Sequence, residues 1–238
     1  RGMTLKPAHF REIHRDFEAP ISRYDCGRHC APLNGGEPVC CTTGHAIPVV
    51  DRAEWTLLKS QTDLWHKFKP FDAASRQVVD DLHANCTAIE CKGAAHCERE
   101  NRTLACRAFP FFPYISREGD LIGLSYYWTF EDRCWVLSNL QVVERKYVRE
   151  FVQAYERLFA ADEEEYAVNR DHSATMRRVF SRWNRPIPVI GRDGGYFKVL
   201  PYGGGMEKAK VSEFGAHGPY VSPAAYWAAV AEASAEAT

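Results

Sequence analysis

No apolar run in this sequence approaches the roughly 18–20 residues of a membrane span, so a membrane partner is not expected. Excess charge of either sign is also missing. Thirty basic and 31 acidic residues leave a net charge of -1, so nothing in the composition advertises a nucleic-acid or anionic-membrane binder. Internal repeats and low-complexity runs are absent apart from an Ala-rich tail. An apolar content of 45% with 26% charged residues is globular and argues against disorder. A secretory signal is lacking as well. Leu5 to Asp16 is charged and has no apolar core, and Arg1-Gly2-Met3-Thr4 reads as a tag scar before a native start at Met3. The expected compartment is the reducing cytoplasm. At 238 residues the chain can bury a sizeable core without metal or disulfide staples.

Cysteine is what the sequence has in quantity. Nine in 238 residues is about 3.8%, below the roughly 8–10% of a short secreted disulfide scaffold, yet high for a cytoplasmic chain. In a reducing compartment such richness points to metal or catalysis. Eight of the nine lie between residues 26 and 106, in an early group (Cys26, Cys30, Cys40, Cys41) and a late group (Cys86, Cys91, Cys97, Cys106). Cys134 stands apart, within an apolar stretch that suits a core residue. Gly27, Gly35, Gly36, Pro38, Gly44 and Gly93 surround the groups, so both are expected in loops.

Between the groups the pattern predicts a helix capped by Asp51, with Glu54 completing a capping box. It carries Trp55, Leu58, Trp65 and Phe68 at helical spacing and ends at Lys69-Pro70. A second helix is expected from Ala73 to about Ala84, with Val78, Val79 and Leu82 on its apolar face. Leu121–Phe130 and Cys134–Leu140 read as a β-hairpin. Amphipathic helices follow over Val143–Phe159 and Asp162–Trp183, the acidic run Asp162–Glu165 suiting a helix N-terminus. Ile187–Ile190 and Tyr196–Leu200 flank Gly191-Arg192-Asp193-Gly194-Gly195 as a second hairpin. Gly203-Gly204-Gly205 is a flexible loop, and Ser222-Pro223 opens a last helix. The expected class is α+β: a cysteine-rich N-terminal half of loops and helices, and a C-terminal half of antiparallel hairpins and helices. Residues 1–20 form an N-terminal arm, 21–115 a cysteine-cluster metal-binding region, and 116–238 an α+β region packing on it as one integrated fold.

The spacing of the cysteines carries the chemistry. Cys26-Gly-Arg-His-Cys30 lets two thiolates converge from one turn, and glycine-rich backbone lets amides approach sulfur. Cys40 and Cys41 are adjacent, so their side chains diverge and both binding one tetrahedral ion is awkward. The late group continues through Cys91-Lys-Gly-Ala-Ala-His-Cys97 to Cys106-Arg-Ala-Phe-Pro. Sulfur-rich ligation selects zinc, copper(I) or iron–sulfur. Cys26/Cys30 has zinc-type spacing, whereas Cys91/Cys97 is one residue too wide. A 4Fe–4S cluster takes four thiolates from irregular spacings and is preferred here, with zinc as the alternative. The first-ranked ligands are Cys26, Cys30, Cys41, Cys97 and Cys106, followed by Cys40 and Cys91, with Cys86 and Cys134 as bystanders. His29 and His96 beside the ligands are candidates for proton transfer, His45 less so. Arg102 and Arg107 are candidates for holding a cluster or an anionic substrate, against a plain salt bridge with Glu98 or Glu100. The run Phe109, Phe111, Phe112 and Tyr114 is expected to shield the metal site and build core.

These motifs resemble the YkgJ-type cysteine-cluster family, described as a zinc- or iron-chelating domain. The resemblance rests on the double cysteine Cys40-Cys41 running into Val49-Val50-Asp51, and on Cys97, Arg102 and the signature Cys106-Arg107-Ala108-Phe109-Pro110. Thr103 stands where the family has proline, and the Cys30–Cys40 gap is longer than the family's. The similarity covers residues 22–115 and extends to the cysteine-rich part of flagellin lysine-N-methylases. It implies an iron–sulfur cluster and methyl transfer from S-adenosylmethionine. Neither a Gly-rich nucleotide fingerprint nor a Cys-x3-Cys-x2-Cys triplet is present, so methyl transfer rests on the resemblance alone. The sequence thus predicts an iron–sulfur enzyme acting on a small molecule or a peptide side chain. The alternatives are a zinc-binding interaction module and an S-adenosylmethionine-dependent methyltransferase.

Overall fold

The computed structural model describes residues 5–203 and 205–236. The opening Arg1-Gly2-Met3-Thr4 and Gly204 of the glycine loop lie outside the described residues. The fold is α+β, with helices around a three-stranded and a five-stranded sheet, both antiparallel. The N-terminal residues form a helix, α1 (Pro7–Asp16), with proline at its start where no N–H partner is lost. Phe10 and Ile13 point into the main core, joined just beyond by Phe17. A single helical turn, α2 (Gly27–Cys30), carries Cys26 and Cys30 at its two ends.

The small sheet holds β1 (Val49–Asp51), β2 (Trp65–Lys67) and β3 (Cys86–Cys91), with β3 in the middle. Between them run α3 (Arg52–Gln61) and α4 (Ala73–Asp80). Asp51 does cap α3, accepting from Ala53 N at 2.6 Å. The helix stops at Gln61, because Thr62 is extended and Trp65 onward pairs with β3, Trp65 opposite Cys91. The helical spacing of Trp65 and Phe68 with Trp55 and Leu58 was therefore coincidental. Helix α4 is capped by Asp72 and Ser75 and ends at Asp80, with Val78 exposed rather than on an apolar face. A short helix, α5 (Leu104–Ala108), precedes the large sheet.

That sheet runs β4 (Phe111–Ile115), β5 (Leu121–Tyr126), β6 (Ile187–Gly191), β7 (Tyr196–Val199) and β8 (Met206–Ala209), in sequence order. Pro113 is tolerated because β4 is an edge strand. The hairpin partner of β5 is β4, not Cys134–Leu140. The latter stretch folds into 3₁₀ turns, with Val136, Leu137 and Leu140 buried in the main core. The period-2 alternation of β4 sends Phe111 to that core and Phe112 and Tyr114 to a second one on the opposite face.

The long helices α6 (Arg145–Ala161) and α7 (Glu163–Arg182) stand where their periodicity placed them. Asp162 caps α7 through Glu164 N at 2.9 Å. Helix α6 packs on β5, and α7 packs on β4 and β6. The last helix, α8 (Pro223–Glu236), starts at the expected cap, Ser222 Oγ accepting from Ala225 N at 3.1 Å. Among the described residues no helix is long and apolar enough to cross a membrane.

Candidate functional site

The pairing of β1 with β3 brings the two cysteine groups together. The early group enters β1 directly, and β3 ends on Cys91. Cys86 and Cys91 thus sit on a strand, and Cys106 lies in α5, so only part of the constellation is loop. Cys91 and Cys106 pack on the small core of Val50, Leu58, Leu64, Trp65 and Ile89, while Cys26 packs on the main core.

Seven thiols form one electrostatic neighbourhood. Cys26 lies within reach of Cys30 and Cys40, and Cys30 within reach of Cys41. Cys91 feels both Cys41 and Cys97, and Cys106 feels Cys91 and Cys41. Arg102 is their common cation: its field reaches Cys26, Cys40, Cys41 and Cys106, and its Nε donates to Cys97 Sγ at 3.3 Å. A second donor is the amide of Gly93, 3.4 Å from Cys91 Sγ. Gly93 holds φ +98°, a left-handed conformation that glycine adopts without a Cβ penalty. N–H groups aimed at sulfur stabilise thiolate and metal-bound forms.

The thiols do not titrate alike. Burial raises those of Cys26, Cys30 and Cys91, and pushes Cys106 up to about 12. The sulfurs of Cys40 and Cys41 lie 3.9 Å apart. Cys40 donates to Cys41, which raises Cys40 and lowers Cys41 to about 7, with Arg102 assisting. Metal binding to the buried thiols must therefore release protons.

Local structure fixes each segment. Asn34 reaches Thr42 Oγ1 and Glu37 O, both at 2.8 Å, bracketing Cys40-Cys41. The loop bearing Cys97 is held by Trp65 Nε1 on Asn101 O at 2.8 Å, and by Glu98, which accepts from Thr62 and Asn101. Thr103, the departure from the family proline, caps α5 by accepting from Cys106 N at 2.9 Å. A Thr three residues before Cys106 is the N-cap signal that could have announced this role.

The two expected bystanders, Cys86 and Cys134, stand differently. Cys86 lies five residues from Cys91 along β3, about 17 Å at strand rise, and faces Glu165, Asp51 and Asp162 instead. Cys134 is buried in the main core, just before a 3₁₀ turn and not in a strand, though Cys26 and Cys30 are within electrostatic reach. Arg107 forms neither of the expected salt bridges. It donates to the backbone carbonyls of Phe17, Arg102 and Glu100 at 2.5, 3.0 and 2.7 Å, tying α1 to the turn before α5. His45 is held between Asn34 and Arg133. His96 is exposed, and its ring makes no hydrogen bond among the described residues, its amide alone donating to Gly93 O at 3.1 Å. His29 stacks on Trp135, ring centroids 4.1 Å apart. Of the aromatic run, Phe111, Phe112 and Tyr114 are core.

No three His, Cys, Asp or Glu side chains among the described residues converge closely enough to grip a single ion as they stand. No protein-family model, no curated protein and no solved structure matches the chain.

Proposed function

We propose that this chain is a cysteine-ligated metalloprotein that carries an iron–sulfur cluster and acts on a small molecule or a peptide side chain. The observation that carries the reading is the gathering of thiols from segments 80 residues apart in sequence, five of them (Cys26, Cys40, Cys41, Cys97 and Cys106) within reach of Arg102. The thiols are neighbours by field more than by contact. A cluster interposes its own iron and sulfide between thiolates, so it takes them at longer mutual distances than a single zinc ion with bonds of about 2.3 Å. The ligands would be drawn from Cys26, Cys30, Cys41, Cys97 and Cys106, with Cys40 and Cys91 in reserve. Bound there, a 4Fe–4S cluster supplies electron transfer when four thiolates hold it, or an open iron for substrate when three do. Arg102 offsets the negative charge of the sulfur ligands, and Gly93 N–H and Arg102 Nε supply hydrogen bonds to them. The resemblance of residues 22–115 to the YkgJ-type pattern supports the same chemistry.

Protein purified without oxygen should be brown, absorb broadly near about 400 nm, and contain matching iron and acid-labile sulfide. Cys106→Ser and Cys41→Ser should lose most of the iron, and Cys86→Ser should retain it. A colourless protein with stoichiometric zinc would replace this reading with the zinc module.

A further inference from the structure

An open cavity of about 510 Å³ lies against the turn that carries Cys26 and Cys30. Its size falls within the roughly 300–1,000 Å³ of small-molecule sites. The lining comes from two separate stretches of the sequence, Arg23, Tyr24 and His29 from one and Trp135, Gln141 and Glu144 from the other. Three features suit it to binding. An aromatic wall is formed by His29 stacked on Trp135, interplanar angle 16°, with the half-exposed Tyr24 ring beside it. A cation, Arg23, is held over the Tyr24 ring at 5.1 Å and hydrogen-bonds the Tyr24 hydroxyl at 3.0 Å, with no acidic partner among the described residues. A carboxylate, Glu144, is fixed at the N-terminus of α6, its own amide bound to Ile21 O at 2.8 Å. That carboxylate makes no hydrogen bond or ion pair among the described residues.

Arg23 and Glu144 carry opposite charge and line the same cavity with no ion pair between them: Arg23 stacks on Tyr24, and Glu144 stands at the N-terminus of α6. A ligand that bears both charges satisfies both groups, and an aromatic side chain on that ligand finds a ring surface beside them. We propose that this cavity binds a free aromatic α-amino acid, its carboxylate on Arg23 and its ammonium on Glu144. His29 sits between Cys26 and Cys30, so the bound molecule would lie beside the thiol constellation. The cavity is independent of the metal assignment, since none of its walls is a proposed ligand.

The test is calorimetry on the full chain with three probes: L-phenylalanine, 3-phenylpropanoate, which lacks the amine, and 2-phenylethylamine, which lacks the carboxylate. Metal and sulfide are measured on the same samples, so a failure of the cluster reading registers separately. L-phenylalanine should bind at least tenfold more tightly than either truncated probe. Glu144→Gln should weaken L-phenylalanine and 2-phenylethylamine but leave 3-phenylpropanoate unchanged. Arg23→Met, on an exposed side chain, should weaken L-phenylalanine and 3-phenylpropanoate but leave 2-phenylethylamine unchanged, and it keeps the test decisive if the Glu144 variant misfolds. No binding of L-phenylalanine at millimolar concentration would overturn the proposal, as would variants that weaken all three probes equally.

Discussion

Glu54 is 2% exposed, and its carboxylate Oε1 accepts from His14 Nε2 at 2.8 Å and from the Leu104 amide at 2.6 Å. One side chain thus joins α1, α3 and the start of α5, and through α5 it positions Cys106. The sequence pattern Asp51-x-x-Glu54 assigned it to a capping box, and only half of that was right: Asp51 caps, while Glu54 turns inward. Local spacing could not reveal this, because the amide that Glu54 serves is 50 residues away. Removing the carboxylate leaves a buried N–H without an acceptor, a loss of about 1–3 kcal/mol, to which the lost His14 bond adds. Glu54→Ala should therefore destabilise the fold by about 2–4 kcal/mol in urea titration. On the proposed iron–sulfur reading, iron retention should fall as well, although no cysteine has been touched. Unchanged stability would show that the Leu104 amide finds another partner. Thr103 teaches the same lesson in reverse. It stands as a departure from the proline of the resembled pattern, and its hydroxyl caps the turn that bears Cys106.

At the scale of elements, legibility followed the amount of local information. Helices α6 and α7 and the β6–β7 hairpin were readable because periodicity, caps and turn residues agree there. Cys134–Leu140 was misread because an apolar run bounded by turns suits a strand equally well. The chain instead makes two short 3₁₀ turns, Trp135–Ser138 and Leu140–Val142, that break at Asn139. The strand that does pair with β6 is β5, and the two backbones approach closely at Gly123. A Cβ there would fall 2.1 Å from Ile190 O and 2.9 Å from Gly191 Cα. Both obstacles are backbone, so no side-chain rotation relieves them. Gly123→Ala should cost more than about 3 kcal/mol, among the larger effects of a single methyl. The matching control is Gly203→Ala, where the added methyl meets nothing within 4 Å. Thermal melts of the pair should separate widely, and equal melting temperatures would mean that the sheet shifts to admit the methyl.

Over the whole molecule, the division of the cysteines into eight between residues 26 and 106 and Cys134 apart was legible from spacing. The arrangement that gathers them was not, since it depends on β3 lying between β1 and β2 and on buried bonds between distant segments. Two other groups, half-buried and also invisible to spacing, contribute to how the fold responds to pH. Glu165 is pushed up to about 7 by burial, with Asp162, Asp51 and Glu54 adding repulsion. His172 is pushed down to about 4 by burial against Phe112, Tyr127 and Trp128, and its Nε2 has no hydrogen-bond partner among the described residues. The signs are opposite. An unfolded glutamate ionises near 4.5, so between there and about 7 the folded chain binds more protons and stability falls as pH rises. An unfolded histidine takes its proton near 6.5, so between there and about 4 the unfolded chain binds more and stability falls as pH drops. Across the overlap the two slopes offset one another. The wild-type stability curve should therefore be flatter there than either group alone would make it. Glu165→Gln should leave the acid limb exposed, with stability climbing from pH 4 to 6.5 and holding level toward neutrality. His172→Phe should leave the other limb, with stability falling steadily from pH 4.5 to 7. Denaturant titrations at unit pH steps would resolve both curves, and a wild-type profile that neither variant alters would remove both residues from the account.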